Sequence, residues 1–192
     1  MITTNNNKFF TAKRTLEKYG IVLEHVQMSL LEIQSYNVDE VIAQKLKSGY
    51  EKIKKPCIVH DSGFFIPELG GFPGALAHPV LEKIDIEGIL KLLEGKKDNQ
   101  RTCYFYEVVG YLDGSMKEPI FFDQKTFGTI ATKPIGNEDG HHWSRLFEIF
   151  IPENYSETLA QIGEENYLKW RHDKKIDQYL EKFAEWYVNN KK

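Results

Sequence analysis

The chain opens with the short apolar stretch Met1-Ile2-Thr3 and the polar run Thr4-Asn5-Asn6-Asn7. Phe9, Ala12, Leu16 and Tyr19 then recur at helical spacing up to Gly20. This order predicts strand, loop and helix. Ile21-Val22-Leu23-Glu24-His25-Val26 has the β-branched content of a second strand. Asn37 stands three residues before Glu40, the spacing of a capping box, and Val38, Val41, Ile42, Leu46, Gly49, Tyr50 and Ile53 mark one face of the helix that follows. After Pro56, Cys57-Ile58-Val59 reads as a short apolar strand ending at His60-Asp61-Ser62-Gly63. Strand and helix alternate over this first part of the chain, which predicts an α/β sheet with parallel strands.

The pattern changes downstream. Beyond the Gly- and Pro-rich segment Leu69-Gly70-Gly71-Phe72-Pro73-Gly74 and a helical stretch around Ile89 to Leu93, three segments read as successive strands joined by turns. They are Thr102 to Leu112, Ile120 to Phe122 and Phe127 to Ile130, and they predict an antiparallel second lobe. Ile176, Tyr179, Leu180, Phe183 and Tyr187 predict one long closing helix from Glu164 to Val188. The expectation is a mixed-sheet α/β protein with a single domain over residues 1–192. Lobe one covers about 1–98 plus the C-terminal helix 164–190, and lobe two covers about 99–163.

Composition narrows the functions open to such a fold. Of the 192 residues 41% are hydrophobic, enough for a sizeable core and against disorder. The 25 Lys and Arg against 28 Asp and Glu give a net charge of -3, with no basic stretch of the kind nucleic acid selects. Lys174-Lys175 and Lys191-Lys192 read as solvated faces. Cys57 and Cys103 both lie in apolar stretches, which predicts inert core thiols and a reducing compartment. No signal peptide or bilayer-spanning run is legible, so the expectation is a cytoplasmic protein with no membrane partner.

Candidate chemistry is sought just after the predicted strands, where open α/β sheets bind ligands. Thr3-Thr4-Asn5-Asn6-Asn7-Lys8 offers backbone N–H groups, amides and one ammonium at a helix N-terminus, a phosphate site or equally an Asn-rich N-cap with an exposed Lys. Asp61, followed by the small pair Ser62-Gly63, can hold Mg²⁺ or accept a proton from water; a plain turn explains the same residues. Glu32 is an acid within the mostly apolar Leu30-Leu31-Glu32-Ile33-Gln34, either paired with a cation or simply exposed. Lys45 lies on or beside the apolar stripe of its helix. From there it reaches a ligand phosphate or snorkels to water. The histidines have no metal-ligand spacing, which argues against a zinc site.

Taken in order, several motifs resemble the inosine triphosphate pyrophosphatase family. They are Thr3-x-Asn5-x-x-Lys8, Leu31-Glu32-Ile33-Gln34, Asp39-Glu40-Val41, Lys45, Asp61-Ser62-Gly63 and Gly70-Gly71-Phe72-Pro73-Gly74. The resemblance continues through Arg101-Thr102, Phe127-Gly128-Thr129-Ile130, Ile149-Phe150-Ile151-Pro152 and Asn166 to Arg171. It implies a two-lobed fold with a central cleft, usually a homodimer, that uses Mg²⁺ to hydrolyse non-standard purine nucleoside triphosphates to the monophosphate and pyrophosphate. By position, Asn5, Lys8 and Lys45 contact the phosphates, with Thr3, Ser62 and Gly63 in the same phosphate-binding set. Glu32 binds the metal, and Asp61 binds metal or activates water.

The departures cluster where the family reads the base. Ser144-Arg145-Leu146-Phe147-Glu148 replaces a Phe-Gly-Trp/Tyr-Asp-Pro run, leaving Trp143 or Phe147 as stacking candidates and Glu148 as the acid. Lys169-Trp170-Arg171 stands for a Ser-His-Arg signature, so Trp170 and Arg171 complete the candidate base-binding set. Glu165 replaces a Lys, His60 the acid before the catalytic Asp, His78 a basic residue after the Gly-Gly-x-Pro-Gly segment, and Thr11 a Glu. Triphosphate and metal positions persist while base recognition changes, which predicts altered or relaxed base selectivity. The alternative is a catalytically impaired nucleotide-binding or regulatory protein on the same fold.

Overall fold

A computed structural model of the chain describes residues 1–136 and 144–191; Trp143, like His141 and His142, lies outside the described residues. Among the described residues, five α-helices, α1 (Asn6–Glu17), α2 (Val38–Ile53), α3 (Ala77–Leu92), α4 (Gly163–Asp173) and α5 (Gln178–Lys191), accompany five strands. The strands are β1 (Cys57–Phe65), β2 (Pro73–Gly74), β3 (Thr102–Leu112), β4 (Ile120–Ile130) and β5 (Phe150–Pro152), joined in one sheet of order β2-β1-β3-β4-β5. β1 pairs with β2, and β4 with β5, antiparallel.

Several elements differ from the sequence pattern. The two N-terminal strands reduce to one parallel bridge between Ile2 and Val26, and Val22 points to solvent at 95% exposure. β-Branched content alone does not supply a neighbour to pair with. β1 does not stop at Asp61 but runs on to Phe65, because Phe64 and Phe65 pair with Gly74 and Pro73 of β2. Asp61 is therefore held in a strand and not at a turn. The predicted strands at 120–122 and 127–130 are one continuous β4.

The long closing helix breaks in two. Lys175 takes a left-handed conformation (φ 48°) and the N–H of Ile176 returns to the carbonyl of Arg171, which closes α4 and buries Ile176. At α2 the capping box takes another form. Asn37 Oδ1 accepts the N–H of Asp39, while Ser35 Oγ accepts the N–H of Asn37 and donates to Glu40 Oε2 at 2.7 Å. Glu40 thus supports the cap through a hydroxyl relay.

Two compact units divide the chain: Met1–Ser62, Glu107–Gln124 and Asp177–Lys192 form the first, Gly63–Tyr106 and Lys125–Ile176 the second. Residues 63–98 and 164–176 thus belong with the second unit and 107–124 with the first. Each has its own core. In the first, Phe9, Ala12 and Leu16 of α1 and Leu180 and Phe183 of α5 pack with Ile58, Val109 and Tyr111. Between Val109 and Tyr111, Gly110 of β3 faces α2 instead: a Cβ there would lie 2.6 Å from Ile42 and Leu46. In the second, Phe64, Phe105 and Phe150 form an aromatic cluster with Ile86, Ile89, Leu146, Phe147 and Trp170. Cys57 and Cys103 are buried free thiols, and burial pushes Cys57 up to about 11 and Cys103 higher still.

Gly63 belongs to this second packing unit. A Cβ there would lie 2.7 Å from Phe65 Cε2 and 2.8 Å from the carbonyl oxygen of Gly74, so the close approach of β2 requires glycine. Gly63→Ala is expected to cost about 1–3 kcal/mol. The measurement is the urea midpoint; an unchanged midpoint would show that β2 moves aside without cost.

Candidate active site

Residues widely separated in sequence converge on Asp61 within the first unit. Asn5 caps α1: its Oδ1 accepts the N–H of Lys8 at 3.0 Å, and its own N–H is held by Thr3 Oγ1 at 3.0 Å. The turn so fixed starts the helix at Asn6 and sends Lys8 toward β1. Lys8 Nζ lies 3.5 Å from Asp61 Oδ1 and donates to the His60 carbonyl at 3.4 Å. No sequence signal singles out that carbonyl, because main-chain acceptors carry no residue identity.

From α2, Lys45 reaches the other side of the carboxylate. Its stem lies on the buried stripe with Ile42 and Leu46, and its Nζ donates to Asp61 Oδ2 at 2.6 Å. The same ammonium pairs with Glu32 Oε1. Glu32 sits in the irregular segment before α2, its side chain 63% exposed against 10% for Lys45. Both sequence alternatives for Glu32 therefore hold at once: it is exposed and it has a cation partner. Lys45 pairs with carboxylates instead of snorkelling to water. Ser62 contributes its N–H to Asp61 Oδ1 at 2.9 Å.

These contacts set the charge states. Burial alone would raise the Asp61 carboxyl, but the ammoniums of Lys8 and Lys45, the Lys45 hydrogen bond and the Ser62 N–H outweigh it and bring the group down to about 2. Burial likewise works to lower Lys45, and the two carboxylates more than compensate, so its pKa is raised. Both shifts favour the charged forms, so at neutral pH Asp61 is a carboxylate and Lys45 an ammonium.

The base-binding candidates among the described residues, Phe147, Glu148, Trp170 and Arg171, belong to the second unit. Phe147 and Trp170 are 2% and 3% exposed and pack in the core, Trp170 stacked on Tyr167. Glu148 is buried and accepts Arg145 Nε at 3.1 Å, while Arg145 also binds Asp85 and Glu87. Arg171 Nη1 donates to the Tyr167 hydroxyl at 2.9 Å. Of the altered positions, His60 stacks on Tyr179 at 5.0 Å and His78 stands exposed beside Glu82. Sequence reasoning left Arg101 without a role. It is buried, and its guanidinium binds the carbonyls of Leu93, Ile130 and Ala131.

Among the described residues no group of three or more His, Cys, Asp or Glu side chains is arranged to hold a metal ion, and no helix is long and apolar enough to cross a membrane. Glu32 and Asp61 do form a pair whose oxygens already share one cationic nitrogen. Such a donor set suits a hard divalent ion that takes one or two carboxylates and completes its sphere with phosphates and water.

The protein is thus a mixed α/β fold in which Lys8, Lys45, Glu32 and Asp61 form one cluster of lysines and carboxylates. The chain belongs to the Ham1 family, whose pattern it matches over residues 1–183. It is 41% identical to the dITP/XTP pyrophosphatase of Methanopyrus kandleri over 98% of this chain and 95% of that protein. With the inosine triphosphate pyrophosphatase of Aspergillus oryzae it shares 31% identity, over 98% and 92% of the two chains. In fold it matches a HAM1 protein from Coxiella burnetii with a TM-score of 0.77 at 20% identity, covering 98% of both chains. A nucleoside-triphosphatase (dITP/XTP pyrophosphatase) from Mycobacterium abscessus also gives a TM-score of 0.77, at 19% identity over 94% of this chain and 97% of that one.

Proposed function

We propose that this protein hydrolyses nucleoside triphosphates, non-standard purine nucleotides among them, to the monophosphate and pyrophosphate with Mg²⁺. The observation that carries this reading is the convergence of Lys8, Lys45, Glu32 and Asp61 in a chain 41% identical to a dITP/XTP pyrophosphatase. Phosphoryl chemistry asks mainly for positioned cations and donors around the phosphates, and this cluster supplies them. Lys8 and Lys45 bind phosphate oxygens, Asn5 and Thr3 set the turn that orients Lys8, and Ser62 and Gly63 continue the strand beside the phosphates. Glu32 and Asp61 hold the metal as anionic ligands. Mg²⁺ held by these two residues would supply charge neutralisation on the phosphates and acidification of a bound water. Asp61 also serves to orient the attacking water or accept its proton.

The reading includes altered or relaxed base selectivity. In its support, Phe147 and Trp170 are committed to the core and the Glu148 carboxylate to Arg145. A homodimer in the cytoplasm completes it. Support for the homodimer is the 53% exposed Phe127 on the second unit, which adjoins Tyr104, itself stacked on Phe65.

The test is pyrophosphate release from ITP, XTP, dITP and the standard nucleoside triphosphates with Mg²⁺. Release from the non-standard purines with only a shallow preference over the standard ones is expected. Folded protein that releases pyrophosphate from none of them overturns the reading in favour of a nucleotide-binding protein.

A further inference from the structure

Glu32 and Asp61 share a cation, and that cation belongs to the protein. Lys45 Nζ lies 2.6 Å from Asp61 Oδ2 and is also paired with Glu32 Oε1, while Lys8 Nζ lies 3.5 Å from the other Asp61 oxygen. Two ammoniums thus balance two carboxylates, and the cluster is neutral before anything binds. A free divalent ion approaching Glu32 and Asp61 meets carboxylates already neutralised and a like charge lodged between them. Repulsion at such distances is strong even at the effective dielectric of a protein site.

A metal–triphosphate complex is different. It carries net negative charge, and its phosphate oxygens offer both ammoniums new partners. Lys45 is suited to the exchange, since α2 anchors its backbone and buried stem while four methylenes leave the ammonium free to swing. The geometry points to Lys45 as an internal counter-ion that keeps free divalent cations from the Glu32–Asp61 pair, so that metal enters only with phosphate, as Lys45 transfers from carboxylates to phosphate oxygens. This inference rests on the proposed role of Glu32 and Asp61 as metal ligands. It gives the site an order of binding and a reason not to accumulate metal without substrate.

Binding of Mn²⁺, followed by water proton relaxation in the absence of nucleotide, tests it without reference to turnover. Wild type and K45R are expected to bind free Mn²⁺ weakly, and K45Q at least about tenfold more tightly. Adding Asp61→Asn to K45Q should remove the gain, and circular dichroism checks that each variant is folded. Saturation of the wild type by micromolar free Mn²⁺ overturns the proposal without need of any variant. Equal affinities of K45Q and wild type, with both binding Mn²⁺ in the presence of tripolyphosphate, overturn it while leaving the metal reading intact. Absence of Mn²⁺ binding in every form, with and without tripolyphosphate, overturns the metal reading and this inference together.

Discussion

Asp61→Asn is expected to lower pyrophosphate release by about 10²–10³-fold or more, while nucleotide binding changes far less. The carboxylate is where the cluster converges: Lys8, Lys45 and the Ser62 N–H all address it. An amide of the same shape keeps one acceptor oxygen but carries no charge, so it neither ligates a divalent ion well nor holds Lys45 in place. A kcat loss with KM nearly unchanged, from pyrophosphate release at saturating ITP and Mg²⁺, would locate the carboxylate in the transition state. Undiminished turnover would remove Asp61 from the chemistry.

The same residue marks the acid stability of the fold. Its folded pKa of about 2 lies below the ordinary 3.8, so its contribution is fully present above pH 4 and is lost as pH falls through the folded value. The difference corresponds to about 2 kcal/mol, and the Asn variant should lack that segment of the pH dependence in thermal melts between pH 4 and 2.

Arg101→Met is expected to destabilise the protein by about 3 kcal/mol or more, a large part of the stability of a domain this size. Arg101 is 4% exposed, and its guanidinium ties three carbonyls together: Leu93 at 2.9 Å, Ile130 at 2.7 Å and Ala131 at 2.6 Å. Those oxygens lie just past the C-terminus of α3 and at the end of β4, so the guanidinium ties these two elements together. Met fills the volume and removes all three of these buried hydrogen bonds, with only the Leu93 carbonyl keeping the Lys96 N–H. Arg101→Lys restores only part, because a point ammonium does not match a planar fork. Urea denaturation measures both; a loss below about 1 kcal/mol for Met would show that water replaces the guanidinium readily.

Much of this was legible in the chain itself. Periodicity located α1 and α2 because a helix that buries one face must repeat its apolar residues at that spacing, and the Asn-rich run before Lys8 and Asn37 before α2 announced the two caps because an N-terminal N–H needs a local acceptor. The residue types of the site were legible for the same local reason: lysines, an Asp and a Glu beside strands are chemistry-bearing in any fold. The continuation of β1 past Asp61 was not, since it depends on pairing with Gly74 and Pro73, and neither was the break at Lys175, which depends on where Ile176 finds a core.

By itself the sequence determined which segments are amphipathic, which turns are capped and which charges are available, because those properties depend on near neighbours along the chain. Only the tertiary structure decided that Lys45 stands between Glu32 and Asp61, that Phe147 and Trp170 belong to a core, and that Arg101 is a tie between carbonyls. Each of those facts joins residues distant in sequence, and such a contact forms only when the strands and helices carrying them have packed.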